Sequence, residues 1–214
     1  MRRLLTLVLA LTLAVPTGGS SAGQERRAEC FGRRADVVGS GRAERIIGTP
    51  RADVIHAGGG RDEIFGLGGN DVICGGKGRD DLYGGEGHDR LAGGRGGDFL
   101  AGVEGNDRLV GGRGGDLAQY LGHDRAVRVN LQKGKAKGWG NDRLRGVEHL
   151  GGTDYADVFV GDARRNLLFG HGGDDRLYGA DGRDFLFPGP GDDVLGGGDG
   201  FDAADYTLSE SAVV

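Results

Sequence analysis

Residues 66–116 read, in blocks of nine, GLGGNDVIC, GGKGRDDLY, GGEGHDRLA, GGRGGDFLA, GVEGNDRLV and GGRGGD. Glycine comes first and fourth in every block, aspartate sixth, and an aliphatic residue eighth in each complete block. A short fixed period is the signature of a solenoid, in which each repeat contacts only its neighbours. Glycine at the first, second and fourth positions opens backbone angles closed to other residues, so the first six positions are expected to form a tight turn. The last three, such as Val72-Ile73-Cys74, suffice for a brief strand whose middle side chain points to one face. Turn, strand, turn, strand makes one coil of about 18 residues, and coils stack at roughly 4.8 Å, the strand spacing of a sheet. The expected fold class is all-β: a parallel β-roll, that is, a right-handed β-solenoid of stacked nonapeptide repeats.

Two consequences follow from the stacking. Ile64, Ile73, Leu82, Leu91, Leu100 and Leu109 face inward and form a thin aliphatic core. The sixth positions split into two rows, Asp62, Asp80, Asp98 and Asp116 along one edge and Asp53, Asp71, Asp89 and Asp107 along the other. Carboxylates one coil apart repel each other unless a cation lies between them. The donors on offer are carboxylate and carbonyl oxygens, which suit Ca²⁺ better than the strictly octahedral Mg²⁺. No Cys or His cluster competes for a softer metal.

These blocks resemble the RTX, or hemolysin-type calcium-binding, nonapeptide repeat family, over about two-thirds of the chain. The resemblance implies several Ca²⁺ ions, each between the turns of nonads two apart, held by sixth-position aspartates and backbone carbonyls. Carried onto this sequence, the ligands are Asp62, Asp71, Asp80, Asp89, Asp98, Asp107 and Asp116, then Asp175, Asp184, Asp193 and Asp202. The turn glycines Gly60, Gly69, Gly78, Gly87, Gly96 and Gly105 accompany them. Asp53, Asp157 and Asn166 are expected to hold calcium more weakly, because their nonads lack the fourth glycine (Arg51, Tyr155 and Arg164 stand there) and Asn166 lacks a charge.

The chain divides into six stretches. Residues 1–22 read as a secretory signal peptide: Arg2 and Arg3, an apolar run from Leu4 to Val15, then small residues to Ala22. That run is too short for a transmembrane helix, and no other approaches one. A secreted, extracellular location is therefore expected. RTX proteins exported by the dedicated route usually lack such a signal, so toxin export and toxin activity are not carried over. Residues 23–47 hold degenerate repeats, CFGRRADVV and GSGRAERII, read as an N-terminal cap with Val37 and Ile46 inward. Residues 48–119 form a first regular block. Residues 120–151 break the rhythm with a strand pattern on Val127, Val129 and Leu131, expected to be spliced into the roll. Residues 152–205 form a second block, with Phe159, Leu168, Leu177, Leu186, Leu195 and Ala204 inward. Residues 206–214 repeat the start of the irregular segment, as a partial third unit or a C-terminal cap.

Cys30 and Cys74 are the only cysteines. In an oxidising compartment a disulfide is expected. Geometry opposes it, since 44 residues span more than two coils of an unbroken roll, beyond the reach of a bridge. Either the N-terminal segment folds back across the first coils or both thiols are free.

The chain has 48 glycines among its 214 residues and 37% hydrophobic residues, poor material for a conventional globular core. Its formal charge of −5 implies no nucleic-acid partner. No nucleophile motif surrounds Ser40, Ser209 or Ser211 and no HExxH is present, so no enzyme is expected. The primary expectation is a calcium-binding module whose ions drive folding. The alternatives are an adhesion or glycan-binding module at a cell surface and a detached accessory module of a secreted hydrolase. Lys133, Lys135 and Lys137 beside Trp139 are the thin support for a polyanion or glycan contact; a solvated loop is the plainer reading.

Overall fold

The computed structural model describes residues 28–120 and 122–207. The expected signal peptide and most of residues 206–214 lie outside the described residues. Among those described there is no helix, and none long and apolar enough to cross a membrane.

The strands are β1 (Glu29–Cys30), β2 (Arg33–Arg34), β3 (Val37–Val38), β4 (Arg45–Ile47), β5 (Val54–Gly59) and β6 (Glu63–Gly68). Then come β7 (Val72–Lys77), β8 (Asp81–Glu86), β9 (Arg90–Arg95), β10 (Phe99–Glu104), β11 (Arg108–Arg113) and β12 (Leu117–Gln119). The irregular segment supplies β13 (Arg128–Asn130), β14 (Lys135–Lys137), β15 (Asn141–Arg145) and β16 (His149–Gly151). The chain continues through β17 (Val158–Val160), β18 (Leu167–Phe169), β19 (Arg176–Gly182), β20 (Phe185–Phe187), β21 (Val194–Gly200) and β22 (Ala203–Ala204).

In the regular repeats successive strands alternate between two sheets, so each pairs in parallel with the one two steps on. One sheet runs β4-β6-β8-β10-β12-β16-β18-β20-β22 and the other β3-β5-β7-β9-β11-β15-β14-β13-β17-β19-β21. In the regular part the register is 18 residues, as in Ile64↔Leu82 and Leu82↔Leu100. The molecule is a parallel β-roll. Its eighth-position side chains form one continuous core from Ile55 to Leu186, joined across the irregular segment by Tyr120, Val127, Val129, Ala136, Leu144 and Leu150. That segment splices an antiparallel meander, β13-β14-β15, into the second sheet.

Three features depart from expectation. The long strands β5 to β11 have six residues, not three: each runs from the seventh position of one nonad to the third of the next. The turn therefore shrinks to positions four to six. Second, Cys30 to Asp36 does not form a coil. β1 and β2 make an antiparallel hairpin, turned by Phe31 and Gly32 at φ of 51° and 75°, which folds back over the outside of the second sheet. There Cys30 and Ala35 bury Val54 and Val72 in a small second core, and the Phe31 ring lies 4.3 Å from the Arg90 guanidinium. This fold-back places Cys30 within 5.7 Å (Cα–Cα) of Cys74, and the two are disulfide-bonded. Third, Val37 and Ala204, both expected inward, are exposed, because each lies on a terminal coil of the described roll and has a stacked neighbour on one side only.

Candidate metal centre

Each sixth-position aspartate closes a turn and begins the next strand. One carboxylate oxygen, Oδ1, accepts a hydrogen bond from the backbone N–H of the sixth residue one coil earlier. Asp62 donates to Asp80 at 2.9 Å, Asp80 to Asp98 at 2.9 Å and Asp98 to Asp116 at 2.8 Å. Along the other edge Asp53 donates to Asp71, Asp71 to Asp89 and Asp89 to Asp107, at 2.8 to 2.9 Å. The second block repeats this from Asp157 to Asp175 to Asp193 and from Asn166 to Asp184 to Asp202. A carboxylate ladder thus runs up each edge.

The other oxygen is left over. Oδ2 of Asp62, Asp71, Asp80, Asp89, Asp98, Asp107, Asp116, Asp175, Asp184 and Asp193 is buried without a hydrogen-bond partner. Asp202, on the last described coil, is partly exposed. Removing these groups from water without counter-charge lifts their pKa, and the N–H received from the previous coil offsets this only in part. Burial pushes Asp89, Asp98 and Asp107 up to about 7, Asp116 to about 6 and Asp175 to about 8, with carboxylates one coil away adding to the rise.

The first-position glycines shape the space beside Oδ2. A Cβ on Gly75 would stand 2.5 Å from Asp80 Oδ2 and 2.9 Å from the Gly93 carbonyl oxygen on the next coil. Carboxylate and carbonyl oxygens therefore converge where only a hydrogen can be carried. Gly75 has ordinary backbone angles, so space and not conformation demands glycine there. The fourth position differs: Gly96 sits at φ +136°, and a Cβ would strike the Gly78 carbonyl. Among the described residues no three His, Cys, Asp or Glu side chains gather at one point. The acids are spread one to a turn, so any ion here must take most of its ligands from main-chain oxygens, as Ca²⁺ tolerates.

The ladders do not stop at the irregular segment. Asp107 donates its N–H to Asp142 Oδ1 at 3.0 Å, and Asp116 to Glu148 Oε2 at 3.1 Å. Sequence reasoning passed over both residues, because the spacing jumps to 35 and 32. A signal existed: Asn106-Asp107-Arg108-Leu109 recurs unchanged as Asn141-Asp142-Arg143-Leu144, which lies beside it in register. Glu44 joins the start of one ladder by donating its N–H to Asp62. His88 is exposed at a variable turn position; its Nδ1 accepts from the Asn106 N–H while its backbone N–H donates to Asn70 Oδ1.

Asp53, Asp157 and Asn166 stand apart. Their second positions (Oδ2 in the aspartates, the single Oδ1 in the asparagine) are satisfied from within the same turn, by Thr49, Thr153 and Asp162. Trp139 is also committed internally. Its ring stacks on His123 with centroids 4.2 Å apart, and its Nε1 donates to Asp124 at 2.7 Å.

A parallel β-roll edged by buried aspartate ladders defines a calcium-binding repeat protein. The family model described as RTX calcium-binding nonapeptide repeat (4 copies) matches residues 38–73, 47–82, 67–100, 83–118 and 151–186, together more than half of the chain. The protein belongs to that family. No curated protein matches it.

Proposed function

We propose that this protein is a secreted calcium-binding module whose β-roll is held folded by ions seated in its turns. The observation that supports this most is the set of ten buried, partnerless Oδ2 atoms. An uncompensated buried carboxylate costs several kcal/mol even after relaxation. Ten of them would exceed the roughly 5–15 kcal/mol by which a domain is normally stable. A proton on each, or a cation, must offset the charge, and as pH rises through the raised carboxyl pKa values protons are lost and a cation takes over that role. Bound calcium supplies positive charge that removes the like-charge repulsion between successive rungs.

The residues present fit that ion. Asp62, Asp71, Asp80, Asp89, Asp98, Asp107, Asp116, Asp175, Asp184, Asp193 and Asp202 would offer carboxylate oxygens, and the turns around Gly60, Gly69, Gly78, Gly87, Gly96 and Gly105 main-chain oxygens. The chain's own part is aim: in the folded roll Oδ1 is fixed by the preceding coil, which turns Oδ2 to the ion. The expected leader at residues 1–22 and the Cys30–Cys74 bridge support an extracellular, oxidising and calcium-rich setting. Isothermal titration calorimetry tests this reading. Several Ca²⁺ should be taken up, with Mg²⁺ much weaker, and Asp98→Asn should lower both the heat and the apparent affinity. Equal responses to the two cations would contradict it.

A further inference from the structure

Four turns carry a substitute for the ion. In nonads 39–47, 48–56, 152–160 and 161–169 the second position is Ser40, Thr49, Thr153 or Asp162, and the fourth is Arg42, Arg51, Tyr155 or Arg164. All four make the same pair of bonds. The second-position N–H donates to the sixth-position side chain: Ser40 to Glu44 Oε2 at 2.6 Å, Thr49 to Asp53 Oδ2 at 2.7 Å, Thr153 to Asp157 Oδ2 at 2.7 Å, Asp162 to Asn166 Oδ1 at 2.7 Å. The second-position side-chain oxygen accepts from the fourth-position N–H, at 3.2, 3.2, 3.0 and 2.9 Å respectively. In the two threonine turns the hydroxyl also donates to the aspartate, at 2.9 Å from Thr49 and 3.3 Å from Thr153 to Oδ2.

The backbone changes with the bonding. In the remaining regular nonads the second position has positive φ even where it is not glycine, as at Leu67, Val103, His171 and Ala180, and the fourth is a positive-φ glycine. Neither position has positive φ in the four hydrogen-bonded turns. None of their sixth residues has a partnerless buried oxygen. Two turn types therefore coexist, and the second residue accompanies the choice.

We infer that the second-position side chain decides whether a turn takes an ion. A hydroxyl or carboxylate there closes the turn with hydrogen bonds and occupies the oxygen a cation would use; glycine, or a residue held at positive φ, leaves that oxygen open. The four closed turns fall in two adjacent pairs, so one calcium-independent coil stands at the head of each run of open turns, residues 39–56 and 152–169. This rests on the calcium reading above, and it assigns Asp53, Asp157 and Asn166 no ion.

The test is to convert a closed turn into an open one. Thr153→Gly with Tyr155→Gly gives GGDGADVFV, which matches the open pattern at every position. Native mass spectrometry of the calcium-loaded full chain should count at least one more ion than the unaltered protein. Thr49→Gly with Arg51→Gly makes the same change in the other coil, and circular dichroism in calcium verifies that each variant is folded. A folded variant with an unchanged ion count would overturn the inference. Thr153→Val separates it from the calcium reading: it should gain no ion but should lower the melting temperature both in calcium and in chelator at about pH 5, where protons replace the ions on the ladder carboxylates. An unaltered protein that binds no calcium would end the calcium reading and with it the ion assignment, but not the two turn types; a Thr153→Val melting curve unchanged in calcium and in chelator at about pH 5 would end the hydrogen-bonded substitute.

Discussion

At the residue scale, each aspartate does two jobs with its two oxygens. Oδ1 ties one coil to the next, and Oδ2 is held ready beside a carbonyl. Removing a mid-array carboxylate therefore leaves a buried N–H unpaired as well as an ion short of a ligand. Asp80→Ala or Asp98→Ala is expected to lower calcium affinity and the steepness of the titration more than Asp53→Ala, whose second oxygen is bound by Thr49. Equal losses, read by calorimetry, would contradict the distinction. Gly96→Ala tests the fourth position. At φ +136° and against the Gly78 carbonyl, alanine should cost at least roughly 1–3 kcal/mol, seen as a lower unfolding midpoint in saturating calcium.

At the element scale, the sequence made the repeating part plain and hid what lies off-period. The eighth-position core and the two aspartate rows followed from counting in nines, because a fixed period forces each residue to stack on its equivalent. Strand length did not follow, since glycines read as turn formers at positions one to three prove able to extend the ladder, as in Val72–Lys77. The role of the first glycine was not legible either, because it depends on an oxygen from the next coil. Asp142 and Glu148 lay outside the period, and the stretch read as a degenerate nonad, CFGRRADVV, gives its first residues to the N-terminal hairpin instead of a coil. That hairpin resolves the cysteine problem: the chain leaves the roll and returns across its outer face. Replacing both Cys30 and Cys74 by serine should free the hairpin from Val54 and Val72 and cost roughly 2–4 kcal/mol, measured as a shift in urea midpoint with calcium present. An unchanged midpoint would mean the hairpin is held by packing alone.

At the scale of the whole molecule, the ladders make folding, protons and calcium one linked equilibrium. Burial raises the ladder carboxyls above the value of an unfolded aspartate, Asp89, Asp98 and Asp107 to about 7 and Asp175 to about 8. A raised acid favours the folded state below its unfolded pKa, and that stability is lost as pH rises through the folded value. The calcium-free roll should therefore gain structure as pH falls from about 8 to about 5 in chelator. Calcium competes with those same protons, so its affinity should fall over the same interval. Chelator-treated protein whose β signal is unaffected by pH would contradict this linkage.

The most direct test is a far-UV circular dichroism titration of the chain near neutral pH, first with CaCl₂ and then with MgCl₂. A cooperative transition to β structure with calcium alone is predicted, because the buried carboxylates of both ladders need their counter-charge together. A chain fully folded in chelator at that pH and indifferent to calcium would contradict the account, and would mean that the aspartate ladders are hydrogen-bonding devices only.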